Sequence, residues 1–515
     1  MERRRAGEGG KPLDIGEIRR KVESFRGEAG MEWYRGGAGL KDRVDMAAVF
    51  GRHPGLFSRE SVDTAASALA ASEDAGDAGP GEGRRLRQLR GFLTVGFIRE
   101  ALKELSDAAV NFEMAARVRV PGGGKISYRQ SQAALLNEAD RGRRAALESA
   151  RMEVVARKSE FLVPIHERTH EMAAGLGFAD YLGMMGELKS FPLAPVRDEM
   201  RAFLADTRGL YEEKLSEALE AGLGISLAGA RRHDLQRLFR GREHDALFPA
   251  ERMVPAAREF CASMGLDLEA GGKVRLDIEA RPRKSPRAFC SAVRVPGEVY
   301  LVISPRGGHD DYRAFLHELG HALHYAGVDP GAPLEAKRLG DNSVTEAFAM
   351  LFDHLLLNPS WLAGHLGGSG ADYAGFLRAH ALFELFMLRR YAAKIGYELG
   401  LHDGASLEGE PARYARALGE ATLAATPGES YLDDVDPFFY CASYLRAWML
   451  QAQLAERLRE RFGAEWWRSR ESGEFLAGLW RAGQAEDGDA LSRRLGFERL
   501  SAKPLAEEIE GLIRA

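Results

Sequence analysis

The sequence predicts a mainly α protein in which two helical halves flank a deep cleft, with one small antiparallel β-sheet. Apolar residues recur every three or four positions among alternating charges from Asn137 to about Leu223, which is the pattern of amphipathic helices. Helical patterns dominate again from Asp311 to the C-terminus, and short β-type runs lie between these regions. We therefore expect the sheet to lie beside the helix that follows it.

Breaks in the helical pattern divide the chain into three parts. Residues 1–14 are a polar tail, residues 15–245 form an N-terminal helical half, and residues 246–515 form the second half. The Gly- and Asp-rich stretch 72–83 is expected to be an exposed loop. A chain of 515 residues ordinarily forms more than one domain, which agrees with two halves around a cleft.

Three short runs predict the strands. Residues 288–303 are typical of two strands around the turn Pro296-Gly297, and Val274 to Glu279 alternates in polarity as an edge or hairpin strand does. Helical patterns resume directly after these runs. The sheet is thus expected to border the helix that carries the motif described next.

The segment His317-Glu318-Leu319-Gly320-His321 is the most informative motif in the chain. Residues four apart project from one face of an α-helix, so both imidazoles can bind one Zn²⁺, and Glu318, about 100° around the helix, reaches a water at the metal. The neighbouring residues are uncharged, which suits a buried, water-poor site. The motif predicts His317 and His321 as zinc ligands and Glu318 as a general base in a hydrolytic site.

Zinc in such a site needs a third protein ligand and keeps its fourth position for water. A continuation with a third histidine requires a glycine three residues after His321 and a histidine six after it. It is excluded, because these positions hold His324 and Gly327. The remaining candidates are carboxylates further along the chain: Glu335, Asp341 and Glu346.

Glu346 lies in the first turn of the most apolar helix that follows the motif, predicted over 342–357. From there its carboxylate can point toward a neighbouring helix, and we favour it as the third ligand. The alternative is a capping box, in which Glu346 bonds the backbone N–H of Ser343. Asp353 and His354 could orient a ligating imidazole, or be ordinary polar residues.

The chain contains a second match to the same motif at His166-Glu167-Arg168-Thr169-His170. Arg168 stands between its histidines, with Arg157 and Lys158 nearby, and these residues would put a cation beside any bound metal. We interpret this match as a solvated helix face.

The motif residues together resemble one peptidase family. A leading HELGHALH helix, a Glu 25 residues after the second His and the continuation from Glu346 to Leu351 are similar to the thimet oligopeptidase and oligoendopeptidase F family of gluzincins. The specific match covers roughly residues 285 to 360. The resemblance implies strands, here 288–303, that pair with the substrate backbone, and a cleft that admits short extended peptides.

A C-terminal segment carries the candidates for transition-state stabilisation. In the resembled family it bears a histidine and tyrosines, whereas here residues 431–453 contain tyrosines and no histidine. The run from Tyr444 to Gln453 is also similar to a helix of the angiotensin-converting-enzyme family. Tyr444 is our first choice as donor to the oxyanion and Tyr440 the second, since residues four apart share a helix face. Both could instead be core tyrosines.

Composition excludes several classes of partner. The formal charge is 71 minus 76, or −5, with a pI near 6.3, so we expect no nucleic-acid or membrane partner. The N-terminus lacks the apolar core of a signal peptide, and no run approaches the roughly 18 apolar residues of a membrane span. Three scattered cysteines favour a cytoplasmic location: Cys261, Cys290 and Cys441.

The sequence thus predicts a zinc-dependent metallopeptidase of the oligopeptidase type, with one Zn²⁺ per chain and short peptides as substrates. Two alternatives stay open at this point. The first is a zinc carboxypeptidase or dipeptidyl carboxypeptidase, and the second is a helical binding protein without catalysis. Nothing in the sequence predicts an oligomeric state.

Overall fold

The computed structural model describes residues 13–74, 81–404 and 406–514. These residues are mainly α-helical, which confirms the predicted fold class. Most of the predicted polar tail and the middle of the predicted loop at 72–83 lie outside the described residues.

The helices follow the amphipathic patterns of the sequence. In chain order they are α1 (Ile15–Gly37), α2 (Met46–Gly51), α3 (Arg59–Asp74), α4 (Glu82–Ala101), α5 (Lys103–Ala115), α6 (Tyr128–Asn137), α7 (Arg141–Gly175), α8 (Tyr181–Leu188), α9 (Leu193–Asp206), α10 (Arg208–Leu223), α11 (Arg232–Phe239), α12 (Ala250–Ser263), α13 (His309–Gly327), α14 (Leu334–Arg338), α15 (Asn342–Asp353), α16 (Pro359–Leu366), α17 (Ala374–Asp403), α18 (Glu410–Thr422), α19 (Tyr440–Phe462), α20 (Arg470–Trp480), α21 (Gly488–Arg494) and α22 (Lys503–Arg514). None of these helices combines the length and apolar character that a membrane crossing requires.

Two small sheets accompany the helices. A hairpin of β1 (Arg117–Arg119) and β2 (Lys125–Ser127) was not expected from the sequence. The second sheet has the order β3-β5-β4, with β3 (Val274–Asp277), β4 (Phe289–Arg294) and β5 (Glu298–Val302).

The second sheet is mixed, which corrects the prediction of a purely antiparallel one. Strands β4 and β5 form the expected antiparallel hairpin. Strand β3 pairs with the other edge of β5 and runs parallel to it, with Val274 opposite Val299. Alternating polarity shows that a strand has one buried face, but it does not reveal the neighbour or the direction of pairing.

The main hydrophobic core extends from Ile98 to Ile513. It includes buried residues on both sides of residue 245, so one core joins the two predicted halves, and the division at 245 stays a prediction. A smaller core near the N-terminus packs residues of α1 to α4, such as Val22 and Leu89, against Leu334. The two halves therefore meet through apolar contacts as well as around the cleft.

Close packing of α13 on α15 depends on Gly320. A Cβ atom at this position would lie 2.6 Å from both Ala349 Cα and the carbonyl oxygen of Phe348, closer than real Cβ contacts allow. Only glycine lets the two helix backbones approach this far. The approach brings the first turn of α15 against the motif face of α13.

Helix α15 is shorter than predicted. It begins at Asn342 as expected but ends at Asp353, and residues His354–Leu357 form a separate 3₁₀ turn. Asn358 then caps α16, whose first residue is Pro359. A proline that cannot continue the hydrogen-bond ladder of the preceding helix explains the tightened end.

Candidate active site

Two neighbouring helices bring the three predicted metal ligands together. His317 and His321 project from one face of α13, and their ring centroids are 5.0 Å apart. The carboxylate of Glu346 approaches them from just past the first turn of α15, with its Oε2 atom 3.2 Å from His317 Nε2 and 3.5 Å from His321 Nε2. These residues form a cluster with one potential ligand atom each.

The donor set fits a zinc ion. Two ligand atoms about 2.0–2.1 Å from zinc at a tetrahedral angle are about 3.3 Å apart, which is close to the observed spacings. Glu346 is buried, and its Oε2 atom has no hydrogen-bond partner of acceptable geometry among the described residues. A cation between the three atoms would compensate this buried oxygen.

The second ring nitrogen of each histidine is held by the neighbouring helix α15. His317 Nδ1 lies 2.8 Å from Asp353 Oδ2, so the ring donates a proton there and directs Nε2 toward Glu346. His321 Nδ1 lies 2.9 Å from Thr345 Oγ1, which in turn lies 3.0 Å from the buried His324. Burial lowers the pKa of His324 to about 3, so its neutral ring can accept the threonine proton.

These outer contacts were only partly expected. Asp353 was one of two candidates for orienting an imidazole, and it reaches His317 directly. His354, the other candidate, lies beside Asp353, with its Nε2 atom 4.0 Å from Asp353 Oδ1. Sequence reasoning missed Thr345, although its position directly before Glu346 is a signal that could have found it.

Glu318 lies beside the ligands and is anchored to the sheet. The backbone N–H of Cys290 in β4 donates to Glu318 Oε2 at 2.8 Å. Burial raises the pKa of Glu318, while the imidazoles of His321 and His317 oppose this effect. Strand β4 lies beside α13, as predicted, and its backbone holds the Glu318 carboxylate in place through one oxygen atom.

Burial also acts on Glu346, but with the opposite net outcome. Removal from water raises the pKa of a carboxyl group, whereas the nearby His321 and His317 lower it by more. The pKa of Glu346 is therefore held far below its usual range. Glu346 therefore stays ionised, as a metal ligand must be.

The other two candidate ligands are engaged elsewhere. Glu335 is buried and pairs with Arg19 Nε at 2.6 Å. Asp341 caps α15 by accepting from the backbone N–H of Ser343 at 2.9 Å. Since Asp341 is the cap, the proposed capping box between Ser343 and Glu346 does not form.

Tyr440 and Tyr444 lie on one face at the start of α19, with ring centroids 5.3 Å apart. The Tyr440 hydroxyl donates a hydrogen bond to Glu346 Oε1. Tyr444 packs against Tyr391 at 5.8 Å, and burial followed by the charge of Glu346 raises the pKa of Tyr444. Both phenols therefore keep their protons, and Tyr440 uses its proton in the hydrogen bond to Glu346.

The turn before α19 has an unusual backbone. Phe438 and Phe439 have φ values of 58° and 53°, in the left-handed region that bulky residues rarely occupy. The Phe438 N–H donates to the hydroxyl of buried Tyr181 at 3.1 Å, and the Phe439 ring packs against the same side chain at 5.9 Å. These contacts fix the turn that directs Tyr440 toward Glu346.

A cavity of about 600 Å³ lies between the two halves of the chain. Helices α6, α7 and α11 line it from the first half, and α17 lines it from the second. His309 and Asp310 at the start of α13 also contribute to the wall. The cavity therefore lies beside the N-terminal end of α13, and the residues that line it do not include His317, Glu318, His321 or Glu346.

No protein-family model and no curated protein sequence matches this chain. Solved structures do match. Trypanosoma cruzi metallocarboxypeptidase 1 is 15% identical, with a TM-score of 0.61 over 97% of this chain and 99% of that chain. A protein described as an oligoendopeptidase F is 14% identical, with a TM-score of 0.63 over 99% and 97%.

A third structure, described as a peptidase from Chlamydophila abortus, is 13% identical, with a TM-score of 0.66 over 97% of this chain and 89% of that chain. At these identities the likeness concerns the fold. The match extends over nearly the whole of each chain, so it includes both helical halves. The chain therefore has the helical fold of these peptidases.

Proposed function

We propose that the protein is a zinc-dependent metallopeptidase that hydrolyses peptide bonds in short peptides. One observation carries the proposal: Glu346 Oε2 lies 3.2 and 3.5 Å from the Nε2 atoms of His317 and His321. Two neutral imidazoles and one carboxylate with an open fourth position are the donor set of hydrolytic zinc sites. The unpaired cysteines agree with the cytoplasmic location expected from the sequence.

When bound there, zinc lowers the pKa of a coordinated water to about 7 and polarises the scissile carbonyl. Glu318 accepts a proton from the attacking water on Oε1, since Oε2 is held by Cys290 N. The water oxygen adds to the carbonyl carbon, and Glu318 passes the proton to the amide nitrogen as the C–N bond breaks. The products are a free carboxylate and a free amine.

The two tyrosines have different parts in this proposal. Tyr440 donates to Glu346 and is therefore a positioning residue for that ligand. Tyr444 lies one turn further along α19 and is the donor to the developing oxyanion. One such donor contributes about 3 kcal/mol to transition-state stabilisation.

The β-sheet limits where a peptide can pair. Strand β4 is at the edge of its sheet, but α1 covers part of that edge, because a Cβ atom at Gly30 would lie 3.1 Å from the carbonyl oxygen of Ala292. The beginning of β4, near Cys290 and Glu318, is the part adjacent to the reacting groups. We propose that substrate backbone pairs there, over a shorter stretch than residues 288–303.

Carboxypeptidase action is the second candidate, because one protein of the same fold is a metallocarboxypeptidase. Such an enzyme needs a basic group for the terminal carboxylate of its substrate. Arg232 and Arg390 line the cavity between the halves, where they pair with Glu148 and Asp434, and they are candidates for that task if a substrate carboxylate replaces these partners. The two modes differ in whether a blocked C-terminus prevents cleavage.

The test is digestion of a peptide library, read by mass spectrometry, with metal analysis of the same samples. Wild type is compared with Glu318→Gln, and Glu167→Gln in the second motif is the matched control. We expect at least one zinc per chain, with cleavage of short peptides that Glu318→Gln abolishes and Glu167→Gln does not. Cleavage within blocked peptides indicates an oligopeptidase. Zinc-loaded protein that cleaves no peptide, or full activity in Glu318→Gln, would refute the proposal.

A further inference from the structure

The second motif does not form a solvated helix face, which corrects the interpretation made from the sequence. His166 and His170 on α7 are half-buried and turn toward His402, near the end of α17. The ring centroids of His166 and His170 are 4.6 Å apart, and each is 5.2 Å from that of His402. Three imidazoles from two distant parts of the chain thus form one cluster.

We infer that His166, His170 and His402 form a second site for a divalent transition metal, separate from the one at His317. Each ring offers one nitrogen, and these nitrogens lie within 4.8 Å of one another. His170 Nε2 is 3.0 Å from His402 Nδ1, close to the separation of about 3.3 Å for two ligands of a tetrahedral ion. Three imidazoles with an open position are an established ligand set for zinc.

The cationic residues of this motif point away from the cluster. Arg168 lies about 200° around the helix from His166, and it pairs with Glu171 on the exposed side at 2.7 Å. Lys158 is held by Glu113 and Asp433, each at 2.7 Å. The guanidinium of Arg157 stacks over the Phe112 ring at 5.2 Å. The three cationic side chains that the sequence suggested would lie beside a metal therefore point away from the histidine cluster.

All three rings are half-buried, and His170 and His402 lie within hydrogen-bond distance of each other. The competing explanation is an N–H···N hydrogen bond between His170 and His402, which needs no metal and does not involve His166.

The position of the cluster makes it distinct from the first site. At 1.5 Å per residue, His402 is roughly 16 Å along α17 from Tyr391, whose ring packs on Tyr444. Helices α7 and α17 belong to different halves of the chain, so a metal here would link the halves. The ring of His402 also packs on Phe439, directly before Tyr440.

The experiment is a cobalt titration of chelator-stripped full-length protein, with stoichiometry from equilibrium dialysis and binding also followed by thermal unfolding. We expect two equivalents of Co²⁺ per wild-type chain. The double variant His317→Ala/His321→Ala should keep one equivalent and still unfold at a higher temperature with Co²⁺ than without it. His402→Gln and His166→Gln should each lose one equivalent, whereas the control His53→Gln should bind two.

The variants separate this inference from the proposed function. If the double variant of the first motif binds no Co²⁺, the second site does not exist, whatever the activity of the wild type. The inference also fails if His402→Gln and His166→Gln bind as much Co²⁺ as wild type. Unchanged circular dichroism of His166→Gln and His402→Gln excludes unfolding as the cause of a lost equivalent.

Discussion

The chain contains the HExxH pattern twice, at 317–321 and at 166–170, and the two segments have different surroundings. On both helices the paired histidines share a face and meet a third potential ligand. At the first segment this ligand is a carboxylate from an adjacent helix, and at the second it is a histidine from α17. The pattern alone thus specifies a pair of imidazoles and not the chemistry that they serve.

The glutamate of the pattern shows the larger difference. Glu318 is half-buried against β4 and accepts a hydrogen bond from Cys290 N. Glu167 is exposed on its helix. A general base must be held within reach of the water that it deprotonates, and only the first segment supplies a fixed partner for that purpose.

Replacement of the motif glutamates should have the largest effect. Glu318→Gln removes the proton acceptor and is expected to lower kcat/KM by about 10²- to 10⁴-fold, the usual contribution of general base catalysis. Glu167→Gln should leave kcat/KM within about twofold, since an exposed residue takes no part. Hydrolysis of an internally quenched peptide measures both. Equal losses in the two variants would contradict the assignment.

Removal of the Tyr444 hydroxyl should follow in size. Tyr444→Phe is expected to lower kcat about 10²-fold with a small change in KM, because the donor acts on the oxyanion and not on the bound substrate. Tyr373→Phe is the control, since its hydroxyl donates to the carbonyl oxygen of Gly367, at the end of α16. A change confined to KM would exclude Tyr444 as that donor.

Replacement of Asp353, the carboxylate behind His317, should have an intermediate effect. It should weaken zinc binding at the first segment, whose histidine has such a partner. Asp353→Asn weakens the hydrogen bond that orients His317 and should lower zinc affinity about 10- to 100-fold. In the described residues, no carboxylate lies within 4.0 Å of the ring nitrogens of His166, His170 or His402. Chelator competition measures the affinity of the first site in both proteins, and unchanged affinity in Asp353→Asn would show that the contact is dispensable.

The smallest expected effect concerns helix spacing. Gly320→Ala places a methyl group 2.6 Å from Ala349 Cα and should reduce the free energy of unfolding by about 1–3 kcal/mol, as overpacked cores do. Thr169 holds the equivalent position in the second segment, and Thr169→Ala should change that free energy by less than about 0.5 kcal/mol. Urea denaturation checks both. A neutral Gly320→Ala would mean that α13 and α15 separate without cost.

Much of the fold class follows from the sequence, because helix periodicity and breakers are local properties. The hairpin of β4 and β5 was predicted from two apolar runs around a turn, and the structure confirms it. The parallel partner β3 and the break of α15 at Asp353 were not predicted. The pairing of β3 depends on contact between segments that are far apart in the chain, whereas the early end of α15 is a local effect of Pro359 that the sequence prediction placed too late.

The candidate site likewise combines residues that the sequence could predict with contacts that it could not. His317, Glu318 and His321 could be named because residues four apart on one helix share a face wherever that helix lies. Glu346 could be favoured but not separated from Glu335 and Asp341, since which of these carboxylates reaches the motif depends on how α14 and α15 pack on α13. The anchoring of Glu318 by Cys290 required coordinates, because a backbone N–H leaves no mark in the sequence.

By itself, the sequence determined a helical protein with paired imidazoles and a carboxylate on one helix, since these follow from periodicity and spacing. The tertiary structure alone decided which distant groups face them. It brought Glu346 to one pair of histidines and His402 to the other, and it held Glu318 against a strand while leaving Glu167 in solvent. The physical reason is that helix spacing fixes neighbours within a turn, whereas burial and packing between elements fix the rest.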